Sequence, residues 1–219
     1  MNIINKTYYN LEQFSKNFKD AKPYPHLVLD NFLIDSFFKN LNLENYKLRQ
    51  NNGRSFNTNL EKNKWTSKNE ILSKNLKLII DELNKKEFLE NLYKLTGITD
   101  LFSTTEGNTS LANYHEMYES GFLGTHVDHS SEPSTGLPHV LNIILYLSKD
   151  WQSSWGGSTI LADKNGRKIE KLIDFVPNRA VIFLHTPFSF HGVTEIKKSP
   201  IKRSTIYVDY YSKNKDPYN

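Results

Sequence analysis

The chain has 219 residues, with 28 Lys and Arg against 24 Asp and Glu, a net charge of +4, 37% hydrophobic and 24% charged residues. That balance describes one globular core, and the lysines are scattered rather than gathered into the basic patch a nucleic-acid partner would need. With no cysteine at all, disulfides, thiolate nucleophiles, iron–sulfur ligation and cysteine zinc sites are excluded, so any metal must be held by His and carboxylates.

At the N-terminus, MNIINKTYYNLEQF lacks a basic stretch followed by an apolar one, and a cytoplasmic location is expected. The segment 22–32, KPYPHLVLDNF, places two prolines before a short β-favouring run, which predicts a lead-in strand followed by a helix from about Ile34. Further on, Ser67 and Glu70 have the S-x-x-E spacing of a capping box, and Leu72, Leu76, Ile79, Ile80 and Leu83 recur at helical spacing. A second helical piece carries Phe88, Leu89 and Leu92 and is expected to end at Gly97.

From Leu111 the pattern changes to short β-favouring runs: LANYHEM, GFLGTHVD, HVLNIILYL, STILAD, RAVIFL and RSTIYVDYY. The longest apolar runs here, VLNIILYL and AVIFL, are strand-sized, so no membrane span is expected. Helices first and strands later predict a single domain over 1–219: largely helical support with a lead-in strand over 1–110, and a β core over 111–212 shaped as a sandwich or jelly roll.

Chemistry points first to GFLGTHVDHS. Seven histidines among these carboxylates would produce about 0.8 His-x-Asp/Glu pairs by chance, so the pair needs corroboration. On a strand, His126 and Asp128 would share a face while Val127 and His129 point away, giving two ligands suited to Fe(II) or Mn(II). A third ligand is required, and His191, followed by a glycine in TPFSFHGV, competes with His185. His26, His115 and His139 read as ordinary surface or core histidines. Arg203 opens the last strand and shares a face with Thr205 and Tyr207, where a guanidinium could bind a carboxylate bidentately, although taken alone a strand-end arginine reads more readily as snorkelling to solvent. Asn142 and Tyr146 likewise share a face of VLNIILYL.

Taken in order, NYHEMYESGFLGTHVDHS, LNIILYLSKDW, WGGSTIL, PNRAVIFLHTPFSFHGV and RSTIYVDYY resemble the iron(II)- and 2-oxoglutarate-dependent oxygenases, in their prolyl-4-hydroxylase-like branch, over about 111–211. The resemblance implies a double-stranded β-helix, a cupin-like jelly roll, with N-terminal helices packed on its major sheet. It implies His126, Asp128 and His191 as Fe(II) ligands, and Arg203, Tyr146 and Tyr114 as contacts of 2-oxoglutarate. It further implies O2 as second co-substrate, succinate and CO2 as co-products, and ascorbate as reductant. The carboxylate at Asp128 favours hydroxylation over halogenation, because related halogenases carry a small residue there. Nucleic-acid dealkylases of the superfamily resemble an R-x5-R pattern on the last strand, but six residues after Arg203 stands Asp209. The expected substrate is a peptide, a free amino acid or a small metabolite, with a prolyl group first. A metal-binding cupin-like jelly roll without oxygenase chemistry is the alternative. The polar stretch 129–139 reads equally as a lid or a hairpin loop, His129 is a candidate for the substrate entrance or lid, and Trp151 and Trp155 either line that entrance or simply pack the rim.

Overall fold

In the computed structural model, residues 3–41, 43, 53–67, 71–103 and 113–214 are described. Ten strands form one curled antiparallel sheet in the order β1-β8-β5-β10-β4-β9-β6-β7, with β3 on the outer edge of β4 and β2 beyond it. The strands are β1 (His26–Leu29), β2 (Arg54–Phe56), β3 (Glu61–Ser67), β4 (Tyr114–His126), β5 (His139–Tyr146), β6 (Thr159–Ala162), β7 (Ile169–Ile173), β8 (Ala180–Leu184), β9 (His191–Val193) and β10 (Arg203–Tyr211). This is a double-stranded β-helix, as the strand-rich second half of the sequence requires.

Its curl depends on β4. The first half of that strand pairs with β10, Tyr114 opposite Ile206 and Met117 opposite Arg203. The second half pairs with β9, so one strand belongs to both walls. Between the halves, Ser120 takes a positive φ of 60° and the strand turns its corner there. The runs LANYHEM and GFLGTHVD are therefore one strand, with a corner where two strands were expected.

The helices are α1 (Ser15–Asp20), α2 (Asp35–Lys39), α3 (Lys74–Leu83) and α4 (Lys86–Thr96). On α3 and α4, Leu76, Ile79, Ile80, Leu83, Phe88, Leu92 and Leu95 are buried in one cluster with Leu141, Ile143, Leu145, Ile182, Ile206 and Val208 of the sheet. Ile144, Tyr146, Val181 and Phe183 form a second cluster on the inner face of the curl, with Leu161, Phe175 and Val193. Strand β5 is buried along its whole length, which is why its sequence is a continuous apolar run instead of an alternation.

Two local expectations are corrected. Ser67 ends strand β3, and the helix is capped by Ser73, whose side chain accepts from the Leu76 amide. A serine hydroxyl caps only the turn it immediately precedes, and Glu70 lies outside the described residues. Second, the 1–110 region is not only helical support: β2 and β3 form a hairpin that extends the sheet, Trp65 pairing with Glu116. Its lysine- and asparagine-rich sequence carries little β signal, because an edge hairpin needs only one partner strand. Elsewhere the reading holds: Gly97 adopts φ 85° at the end of α4, and β1 follows the two prolines.

Truncating Leu145, fully buried between helices and sheet, should lower unfolding free energy by about 2–5 kcal/mol. Urea denaturation of Leu145→Ala against the parent checks this.

Candidate metal and carboxylate site

Strands β4 and β9 are antiparallel neighbours, and their register sets His126 directly opposite His191. The rings lie 4.5 Å apart, centroid to centroid. Close approach of the two backbones depends on Gly192, where a Cβ would fall 2.6 Å from the Leu123 carbonyl oxygen. Asp128 stands two residues past the end of β4, so the alternation expected for a strand does not aim it. A turn of the following segment does: its carboxylate lies 3.3 Å from His126 Nε2 through Oδ1 and 3.2 Å from His191 Nε2 through Oδ2. All three ligand atoms fall within 4.8 Å of one another.

The donor orientation is set from behind. Nδ1 of His126 donates to the Gly124 carbonyl at 3.0 Å, and Nδ1 of His191 to that of Ser189 at 3.1 Å. With the protons on Nδ1, both Nε2 atoms are left as lone-pair donors turned toward the shared centre. The Tyr207 hydroxyl donates to Asp128 Oδ2 at 2.5 Å, and Asn142 Nδ2 reaches the same oxygen at 3.3 Å. Burial would raise the Asp128 carboxyl, but His191 and His126 outweigh it and hold it well below the ordinary range. Burial likewise pushes His191 down, and Asp128 overcomes it to leave the imidazole raised.

A cavity of about 130 Å³ opens beside this group, lined among others by Leu123, Ile144, Val193, Arg203, Thr205 and Tyr207. At its inner end Arg203 is buried, its Nε donating to the Gly157 carbonyl at 2.8 Å. Its Nη2 has no hydrogen-bond partner, and no carboxylate lies within ion-pair distance among the described residues. Burial lowers this guanidinium to about 10, so it stays charged at neutral pH. An unpaired buried cation is expensive, and a bound anion is the ordinary remedy. Gly157, at φ 71°, makes the position possible, because a Cβ there would come within 3.1 Å of Arg203 Cδ. Tyr146 is fully buried beside Arg203, its ring 5.4 Å from the guanidinium carbon, and its hydroxyl shares a 2.5 Å hydrogen bond with Thr159 Oγ1.

Three candidates are placed elsewhere than expected. Tyr114 sits in the helix-side cluster with its hydroxyl on Glu116 at 2.8 Å and Ser204 at 3.2 Å. His115, Glu116 and Met117 line the cavity, whereas Tyr114 is not among its lining residues. Trp151 and Trp155 do not line the entrance either. Trp151 packs on Phe175 with centroids 4.9 Å apart, behind Arg203, and Trp155 meets it edge-on at 5.4 Å. These indoles contribute apolar area, which sequence cannot assign to one end of a cavity or the other.

The other histidines separate clearly. His129 lines the cavity, with Nε2 on the Tyr211 hydroxyl at 2.8 Å. His185 faces the main-chain carbonyl of Asp128 at 3.3 Å, not the metal group, and burial pushes it down to about 4. His139, read as ordinary, is buried with Nε2 3.3 Å from Asp209 Oδ1, and His115 stacks on Tyr207 at 5.6 Å. Neither has a local sequence signal, because their partners are 70 and 92 positions away along the chain. The 129–139 stretch is a built hairpin: Ser131 pairs with Pro138, and Glu132 accepts from the amides of Ser134 and Thr135.

Two imidazole nitrogens and a carboxylate converging on one point fit a divalent metal, with Fe(II) or Mn(II) matching the donor set better than structural zinc. Metal binding needs His191 neutral, so its affinity should fall as pH is lowered through the raised imidazole value, from above about 6.5. Mn(II) titrations at stepped pH, with His126→Ala abolishing high-affinity binding, check this.

Residues 110–210 match the model of the 2OG-Fe(II) oxygenase superfamily. No curated protein sequence matches the chain. Among solved structures, the fold is similar to a Trichoplax adhaerens prolyl hydroxylase in complex with a peptide fragment of the hypoxia inducible factor oxygen degradation domain, at 15% identity and TM-score 0.67, covering 94% of this chain and 91% of that one. It is similar to a Pseudomonas putida prolyl-4-hydroxylase at 14% identity and TM-score 0.63, covering 93% and 100%. It is also similar to SnoN, a non-heme alpha ketoglutarate dependent epimerase from nogalamycin biosynthesis, at 11% identity and TM-score 0.65, covering 92% and 82%.

Proposed function

We propose, from the match of residues 110–210 to the 2OG-Fe(II) oxygenase superfamily model, that this chain hydroxylates an unactivated C–H bond, on a prolyl group of a peptide or on a free amino acid, with succinate and CO2 as co-products. The family match and the prolyl hydroxylase neighbours support a 2-oxoglutarate-dependent dioxygenase of the prolyl-4-hydroxylase-like branch. The observation that carries the reading is the pairing of the His126, Asp128 and His191 triad with a buried, unpaired guanidinium at the inner end of the same cavity. A jelly roll that only bound metal would have no use for that cation.

In this reading, His126, Asp128 and His191 hold Fe(II), which when bound supplies oxygen activation coupled to decarboxylation of 2-oxoglutarate. Three protein ligands on one face leave the remaining positions for small molecules. Arg203 receives the distal carboxylate of 2-oxoglutarate through Nη2, with Tyr146 and Thr159 adding hydroxyls beside it. Leu123, Ile144 and Val193 give the cavity apolar walls that exclude water from the acid's methylenes. Tyr207 and Asn142 fix the direction of Asp128, and the neighbouring His191 and His126 keep it ionised. Ascorbate would serve as reductant for iron.

Purified protein with Fe(II), ascorbate, oxygen and 2-oxoglutarate should form succinate, and His126→Ala should form none while keeping its fold. Iron-independent succinate, or failure of Fe(II) and 2-oxoglutarate to bind together under nitrogen, would sink the reading. Arg203→Ala should raise the 2-oxoglutarate KM about 10- to 100-fold with a smaller change in kcat, the loss expected for one charge-assisted pair.

A further inference from the structure

Of the charged groups lining the cavity, Lys64 and Glu116 are paired with Glu61 and Lys202, and the proposed reaction leaves Asp209 without a task. Strand β10 sends Arg203, Thr205, Tyr207 and Asp209 into the same cavity from alternate positions. Alternate residues on a strand are about 6.6 Å apart, so these four side chains form a graded series along it. Tyr207, whose hydroxyl donates to Asp128, marks the level of the triad. Arg203 then lies about 13 Å to one side, and Asp209 about 7 Å to the other. The co-substrate occupies the interval between Arg203 and the triad, which leaves the Asp209 side for the molecule whose C–H bond is oxidised.

Asp209 is nearly buried, its side chain 11% exposed. Oδ1 is held from behind, accepting from Asn142 Nδ2 at 2.9 Å with His139 Nε2 at 3.3 Å, and neither of those residues lines the cavity. Near Oδ2 the closest basic group is His129 Nε2 at 4.0 Å, already hydrogen-bonded with the Tyr211 hydroxyl. Among the described residues no lysine or arginine lies within ion-pair distance of Asp209. Asp128 and Asp209 also share the single Asn142 amide, so two carboxylates stand close together at low dielectric. Metal offsets that repulsion for Asp128. For Asp209 the His139 imidazole, which that carboxylate raises against burial, answers Oδ1, while Oδ2 has only His129 at 4.0 Å.

We infer that Asp209 binds a cationic nitrogen of the prime substrate. That substrate is an amine with aliphatic C–H bonds, either a free amino acid presenting its own ammonium or a basic side chain in a peptide. The inference rests on the oxygenase reading and narrows it: an internal prolyl group, whose nitrogen is a neutral amide, would leave Asp209 unanswered.

Calorimetry under nitrogen on the full chain, loaded with Mn(II) and 2-oxoglutarate, tests it without turnover. The probes are free L-proline, free L-lysine, a capped lysyl peptide, and N-acetyl-L-proline amide, which keeps the ring but has no cation. At least one cationic probe should bind, with the capped proline about 10- to 100-fold weaker. Asp209→Asn should weaken the cationic probe by a similar factor and retain 2-oxoglutarate binding. Binding of free amino acids alone places the cation at the α-amine, and binding of the lysyl peptide places it on a side chain. Equal affinity for cationic and capped probes, or no binding of any cationic probe, overturns the role of Asp209 and leaves the oxygenase reading standing. Should the parent fail to bind 2-oxoglutarate with Mn(II), that reading falls and the inference with it. Where Asp209→Asn loses 2-oxoglutarate binding through misfolding, the ratio of cationic to capped affinity in the parent decides.

Discussion

Antiparallel pairing of β4 with β9 is the constraint from which the site follows. A ladder with His126 opposite His191 holds two imidazoles side by side, tilted by 47°, with no side-chain freedom left to lose beyond two torsions each. Strand register is quantised: a slip of one residue would send one imidazole to the opposite face of the sheet and dissolve the group. Gly192 permits the close approach, and the Nδ1 contacts to Gly124 and Ser189 fix the rotation of each ring. Asp128, just past the strand end, is then the one ligand whose direction needs outside support, and Tyr207 and Asn142 provide it.

Electrostatics organise the rest of the cavity along β10. A buried unpaired guanidinium at Arg203 and a carboxylate at Asp209 stand at opposite ends of one face of one strand, with the triad between them. Such charges are costly to bury, and a fold selected for stability alone would replace them with apolar groups. In the proposed reading these charges answer the molecules received: an anion at Arg203 and a cation at Asp209. The helices take no part in this chemistry. α3 and α4 cover the far face of the sheet, while on the inner face β5 and β8 build a second apolar cluster and β10 carries Arg203, Thr205, Tyr207 and Asp209.

Much of this arrangement was legible in the residues. The His-x-Asp pair, the later His-Gly and the arginine opening the last strand are short-range features, and the structure brings His126, Asp128 and His191 around one centre, with Arg203 lining the same cavity and Tyr146 beside it. Choosing His191 over His185 needed the resemblance, since both lie at the ends of one β-rich stretch. Tyr114 lies in the helix-side cluster with its hydroxyl on Glu116 and Ser204, and nothing local to NYHEM says which way a buried tyrosine points. Trp151 and Trp155 were misplaced because an indole fits a rim and a core equally well.

The sequence by itself determined the class of fold and the ligand types, because hydrophobic period, turn residues and donor chemistry are properties of neighbouring residues. It also determined what the chain lacks, cysteine above all. Only the tertiary structure decided that β2 and β3 join the sheet, that His139 stands behind Asp209, and that Asp209 shares a cavity with Arg203. Those relations join positions tens of residues apart through strand register and the curl of the sheet, and register is set by the packing of the whole core rather than by any local stretch.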